Sequence, residues 1–341
     1  MRISPPNAFV SGRAALQRRP FPAPARSPAF GKAAPPIPPP APKHPWRKAV
    51  PVKLEPDATT GEALSVIAAS CLAHLRGNEA CLLARAHPEG THQLRVALRR
   101  LRSILRLFAD AFPARRNKFF AGEGKWLLTR LSGARDWDVF LDDILLPVEG
   151  RHKNDTAFRA LHAEAERARD AAYAEAAAAI RSRRYDRFVA RLAAWAPVAD
   201  APAKKPVRAV AWRLISRRWR KIAATGRRID DMSESERHRL RVRIKRLRYG
   251  VDMLKSLFVR RHVERWLKVL TDLQDALGEL NDIAVGRRLL AQLTADSALA
   301  QATERYYAAG LVVGWHAHRV RKREKNLKKT LRKFAALPSL L

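Results

Sequence analysis

One stretch of this chain is written twice. His92-Gln-Leu-Arg-Val-Ala-Leu-Arg-Arg-Leu-Arg102 returns 146 residues later as His238-Arg-Leu-Arg-Val-Arg-Ile-Lys-Arg-Leu-Arg248, with seven of eleven positions identical. Neither copy contains an acid. The register holds elsewhere: Leu131, Asp136 and Val139 meet Leu277, Asp282 and Val285 at the same offset. Two blocks in one register imply a duplicated structural unit, which limits the folds open to the chain.

Helical geometry gives the repeat two faces. At 100° per residue, His92, Arg95, Arg99, Arg102 and Arg106 fall within an arc of about 80°. Leu94, Leu98, Leu101, Leu105 and Phe108 fall opposite them. In the second copy His238, Arg241, Lys245 and Arg248 form the basic stripe. Leu240, Ile244, Leu247, Val251 and Leu254 form the apolar one. The apolar stripes predict core packing and leave the basic stripes to face water or a ligand. Cations spaced three and four apart on a helix repel one another, and solvated faces commonly dilute that repulsion with Glu. A single acid-free stripe is compatible with a solubilising surface. Two, each opening on His, favour a polyanion site.

The rest of the chain is also basic. Its 341 residues carry 67 Lys and Arg against 32 Asp and Glu, a net charge of +35. An anionic partner relieves such self-repulsion, and nucleic acid, a membrane surface or a phosphate polymer would serve. With 47% hydrophobic residues the chain can still bury a core. No run of 18 apolar residues exists, so no membrane span is expected. The first ten residues lack the apolar segment of a secretory signal. Cys71 and Cys81 match no zinc or redox spacing and read as thiols in a reducing compartment.

Residues 1–56 hold 15 of the 22 prolines and ten Lys/Arg against one acid, and read as a disordered basic tail. From residue 57 onward the pattern is helical, with no convincing strand. Asp57, Thr59 and Thr60 offer N-caps for a helix to about residue 85. Pro88 precedes the first basic helix. Helices over about 115–132 and 135–147 complete a first group. A long Ala/Glu/Arg helix over about 154–183 and a short one lead to a proline-rich connector at 197–206. Ser233-Glu-Ser-Glu236 is a capping box ahead of the second basic helix. Helices over about 259–278, 281–295 and 297–335 follow. The expected domain is 57–335, in halves of about 57–196 and 207–335.

Taken together, the His-x-Leu-Arg-Val-x-x-Arg-Arg-Leu-Arg block, the later Leu-x-x-x-Arg-Asp-x-Asp-Val block and their second copies resemble the CHAD domain, the conserved histidine α-helical domain. The resemblance implies an all-α fold of two four-helix bundles related by pseudo-two-fold symmetry. It implies binding of inorganic polyphosphate on a basic surface between them and, in bacteria, association with polyphosphate granules in the cytoplasm. Carried over position by position, the ligand groups are His92, Arg95, Arg99, Arg102, His238, Arg241, Lys245 and Arg248, and Arg106 extends the first stripe. Many relatives carry a triphosphate-tunnel (CYTH) domain with an alternating Glu-x-Glu-x-Lys strand. No such motif occurs here, so a stand-alone, non-catalytic binding module is expected, with no cofactor and no membrane partner.

The histidines read as first-turn phosphate donors, or as neutral groups fixing a helix interface. Asp136 and Asp282 read as N-caps or as salt-bridge partners holding an Arg, in preference to catalysis. Trp137 reads as core, and the His316/His318 pair as surface. Non-specific nucleic-acid binding and a metal-dependent phosphohydrolase are the competing functions. The first lacks aromatics interleaved with the cations, apart from Tyr249 at the stripe's edge.

Overall fold

A computed structural model describes residues 44–111, 113–195, 204–295 and 299–341. The described residues are all-α. Their one β-type pairing is an isolated bridge between Thr59 and Pro206. The helices are α1 (Thr60–Leu83), α2 (Pro88–Leu107), α3 (Ala114–Arg130), α4 (Ser132–Val139), α5 (Leu146–Glu149), α6 (Thr156–Ile180), α7 (Arg183–Ala193), α8 (Val207–Gly226), α9 (Glu234–Met253), α10 (Arg260–Ala295) and α11 (Leu299–Ala335).

Local chemistry sets the helix starts. Thr59 and Glu62 form a capping box on α1, and Ser233 and Glu236 form one on α9 as the sequence predicts. His87 caps α2, with Pro88 at its first position. Ser182 caps α7 and Asp155 caps α6. The starts of the two halves lie side by side. The Thr60 amide donates to the Lys205 carbonyl at 2.9 Å, and the Val207 amide to the Ala58 carbonyl at 3.0 Å.

The predicted apolar stripes form the interior. Leu94, Leu98, Leu101 and Leu105 of α2 and Leu240, Ile244, Leu247 and Val251 of α9 are all at most 2% exposed. The buried side chains fall into two clusters. The larger joins α1, α2, α3, α7, α8 and α9 to the first half of α10 and the last turns of α11. The smaller joins Trp137–Ala165 to the second half of α10 and the first half of α11. Each cluster draws on both sequence halves. Close backbone approach helps: a Cβ on Gly90 would lie 2.6 Å from the Cys81 sulfur, so only glycine lets α2 lie this near α1.

Two boundaries differ from the sequence reading. The Pro-rich tail ends sooner than residue 56. Val52 and Leu54 are buried, the Leu54 amide donates to Ser256 Oγ at 3.0 Å, and Asn78 brackets the backbone of Arg47. Residues 1–43 lie outside the described residues. The expected break near 278–281 is absent, and α10 runs unbroken for 36 residues. Gly278 costs a helix about 1 kcal/mol relative to Ala, and burial of Leu273, Leu277, Leu289 and Leu290 on either side outweighs that. The equivalent first-half stretch is segmented, with a stop at Leu131 and a π-helical turn over Phe140–Leu145 ahead of Pro147.

Candidate functional site

Helices α2 and α9 pack against each other through their apolar stripes. Their basic sides, with α3 and α10, enclose an open groove of about 940 Å³. Of the nine predicted ligand residues, Arg95, Arg99, Arg102, Arg106, His238, Arg241 and Lys245 line it. No carboxylate among the described residues lies within ion-pair distance of Arg99, Arg102, Arg106 or Lys245.

The duplicated aspartates account for how two of the arginines are held. Arg95 Nη2 lies 3.8 Å from Asp136 Oδ1, and Arg241 Nη2 lies 3.9 Å from Asp282 Oδ1. These are the same pair in both copies, at the same 146-residue offset. Asp136 sits inside α4 and so is a salt-bridge partner, not an N-cap. It also meets Arg288 at 3.5 Å, and Arg95 Nη1 donates to the Leu131 carbonyl at 3.1 Å. The Nε atoms of Arg95 and Arg241 are both buried and have no hydrogen-bond partner among the described residues.

Burial among like charges weakens the proton affinity of Arg95, Arg102, Arg241, Lys245 and Arg246. Lys245 is drawn down to about 6 by burial and by Arg99, Arg241 and Arg95. Arg95 is drawn down to about 10 by burial and Arg99, and remains charged at neutral pH. Burial raises the Asp136 carboxyl, opposed by Arg95 and Arg288.

Two predicted residues fall outside the groove. His92 does not line it. Burial, and then Arg135, push its pKa down to about 4, so its imidazole is neutral at physiological pH. Arg248 donates from Nε to Gln274 Oε1 at 2.8 Å and lies over the Tyr249 ring. The histidines are also not in the first turn. Each is the fifth residue of its helix, beyond the free amides that make a helix start attractive to anions. His238 does reach the groove, and its Nδ1 pairs with Asn281 Oδ1 on α10 at 3.1 Å.

Other groove residues escaped the sequence reading. Arg246 lines it from α9, Lys118 from α3 and Arg288 from α10. Arg246 lies one position past Lys245, and the width of the α9 face was its only signal. Lys118 and Arg288 stand outside the repeat and gave none. A Cβ on Gly124 of α3 would lie 3.1 Å from the Arg102 stem, so glycine there gives that side chain its path.

The other candidates are structural. Asp138 is buried and accepts from the Tyr173 hydroxyl at 3.0 Å. Trp137 is core, packed edge-on against Phe140. Cys71 and Cys81 are buried free thiols, and burial raises Cys71 to about 12. His316 is not on the surface: it is 3% exposed and its Nε2 meets the Ile144 carbonyl at 2.9 Å. The His318 side chain lies outside the described residues. Among the described residues no three His, Cys, Asp or Glu converge as a metal site, and no helix is long and apolar enough to cross a membrane.

Comparison with known proteins agrees with the all-α fold. The family model of the CHAD domain matches residues 66–291. The chain belongs to the CHAD family. The crystal structure of the CHAD domain from the plant Ricinus communis superposes with a TM-score of 0.74 at 28% identity, covering 87% of this chain and 99% of that one. PptA from Streptomyces chartreusis shares the fold, with a TM-score of 0.62 at 17% identity over 81% of this chain and 100% of its own. No curated protein matches the chain.

Proposed function

We propose that this CHAD protein binds inorganic polyphosphate in the groove between α2 and α9, without catalysing a reaction on it, and that it associates with polyphosphate granules. The observation that carries the reading is the set of cations from two duplicated helices facing one groove, most of them without an ion-pair partner among the described residues though Asp110 and Asp136 also line it. A phosphate chain offers non-bridging oxygens and no bases, so its recognition calls for forked, charged donors. Arg99 supplies charge with no ion-pair partner among the described residues, and Lys245, drawn down to about 6 in the free protein, supplies it once a polyanion restores its ammonium. Arg95 and Arg241 supply guanidinium groups braced by Asp136 and Asp282. Because α2 and α9 both line the groove, one chain would meet cations from both copies of the repeat.

Nucleic acid would meet the same charge, but the groove offers little stacking surface. Among the described residues Tyr249 is the one Phe, Tyr or Trp lining it, and Arg248 lies over that ring. Fluorescence anisotropy with labelled long-chain polyphosphate over a salt series tests the reading. Binding should weaken steeply with salt, because released counterions drive it. A flat response would argue against a charge-dominated groove.

A further inference from the structure

The geometry points to a second anion site, continuous with the groove, that makes the protein grip long phosphate chains more tightly than short ones. This inference rests on the polyphosphate reading and extends it to chain length. A hollow of about 160 Å³ opens between α2, α8 and α9, beside the groove. Ser103, Arg106 and Arg246 line both spaces, so an anion lying along the groove reaches the hollow by passing between two guanidinium groups. Lys221 and Arg243 supply further cations there, over a floor of Leu107, Ile222 and Leu247.

Arg218, a fifth cation, is already committed. Its Nη2 donates to the carbonyls of Arg106 at 2.6 Å and Leu107 at 3.2 Å. Those carbonyls end α2 and have no partner within the helix, so Arg218 serves the fold. The remaining four are not so used. No described carboxylate pairs with Arg106, Lys221, Arg243 or Arg246, and the nearest polar contact is Arg243 Nη1 to Thr225 Oγ1 at 3.5 Å. Arg246, where groove and hollow meet, is crowded by Arg106, Arg102 and Arg243 together, which with burial lower its proton affinity. Like charges gathered without an acid raise the energy of the free protein, and an anion between them lowers it. At about 160 Å³ the hollow has room for phosphate groups of one strand and not for a duplex. Lys221 and Arg243 lie outside the basic stripes of the repeat, so the duplicated motif gives no hint of them.

The test compares tripolyphosphate with long-chain polyphosphate on three full-length proteins: wild type, Lys221→Gln/Arg243→Gln, and Arg183→Gln/Arg187→Gln. The last removes the same charge from the exposed face of α7, away from both spaces. In the Lys221/Arg243 pair long-chain affinity should fall about tenfold, the loss of roughly one charge-assisted contact. Tripolyphosphate affinity should hold, which also shows the variant is folded. The α7 pair should change neither. Unchanged long-chain affinity in the Lys221/Arg243 pair would overturn the second site and leave the groove reading intact. Equal losses for both ligands in both variants would replace it with a diffuse field. Failure of wild type to bind either polyphosphate would sink the groove reading and the extension together.

Discussion

Helix α2 turns Arg95, Arg99, Arg102 and Arg106 into the groove, whereas α9 turns His238, Arg241, Lys245 and Arg246. In the register of the repeat, α9 uses the equivalents of positions 92, 95, 99 and 100. The first copy is therefore engaged about one turn further toward its C-terminus. Among the basic residues described, two equivalent pairs line the groove in both copies: Arg95 with Arg241, and Arg99 with Lys245. Elsewhere the copies diverge. His92 is half-buried outside the groove and His238 faces it. Arg102 lines the groove beside Gly124, while Arg248 is held by Gln274. Arg100 is 2% exposed, while Arg246 stands at the mouth of the second hollow. Duplication thus kept residue types, and packing decided which copy of each type reaches the groove.

The largest expected effect concerns the shared pairs. Reversing both Arg99 and Lys245 to Glu should weaken polyphosphate binding by about 1,000-fold, some 4 kcal/mol. Reversing two cations of the 319–333 segment should cost much less. Lys328 there is already paired with Asp230 at 2.8 Å. Equal losses, read by anisotropy titration, would dissolve the distinction between a preorganised site and general charge.

The two braces should differ next. The Arg95 side chain is 8% exposed and that of Asp136 28%, against 16% and 43% for Arg241 and Asp282. Asp136→Ala leaves a buried guanidinium uncompensated and should cost about 3 kcal/mol of stability by urea unfolding. Asp282→Ala, at the more exposed pair, should cost about 1 kcal/mol or less. The reverse order would mean that the first-half brace is not the structural one.

Proton linkage gives a smaller and more specific effect. Lys245 sits at about 6 in the free protein, far below its ordinary value of 10.5. Between those values the unfolded chain holds more protons than the native one, so stability should rise with pH across that window. A bound polyanion restores the ammonium. Binding at pH 7.5 should therefore take up protons, and affinity should grow as pH falls from 8 toward 6. Calorimetry in buffers of different ionisation enthalpy should show this uptake in wild type and lose it in Lys245→Met. His92, at about 4, should add nothing in that range.

The smallest effect separates the divergent positions. Arg248→Ala should change affinity by less than about twofold, while Arg102→Ala should cost about tenfold. Comparable losses would mean that Arg248 leaves Gln274 to join the ligand.

Much of the fold was legible because helix period and capping are local. The apolar stripes of α2 and α9 became core, and the Ser233 capping box began α9 where expected. The continuity of α10 was not legible, because core contacts on both sides of Gly278 decide it. Nor was the burial of His316, whose partner, the Ile144 carbonyl, lies 172 residues away. For the site, the repeat revealed the basic stripes and the duplicated aspartates. It could not reveal Lys118 or Arg288, which join through tertiary packing alone.

The most direct test of the central claim is a competition titration at physiological salt, with labelled long-chain polyphosphate against duplex DNA and heparin, for wild type and Arg99→Ala/Lys245→Ala. Selective retention of polyphosphate by wild type, lost in the double variant, is the predicted result. Equal competition by all three polyanions, unaffected by the double variant, would contradict it and reduce the groove to one part of a uniformly basic surface.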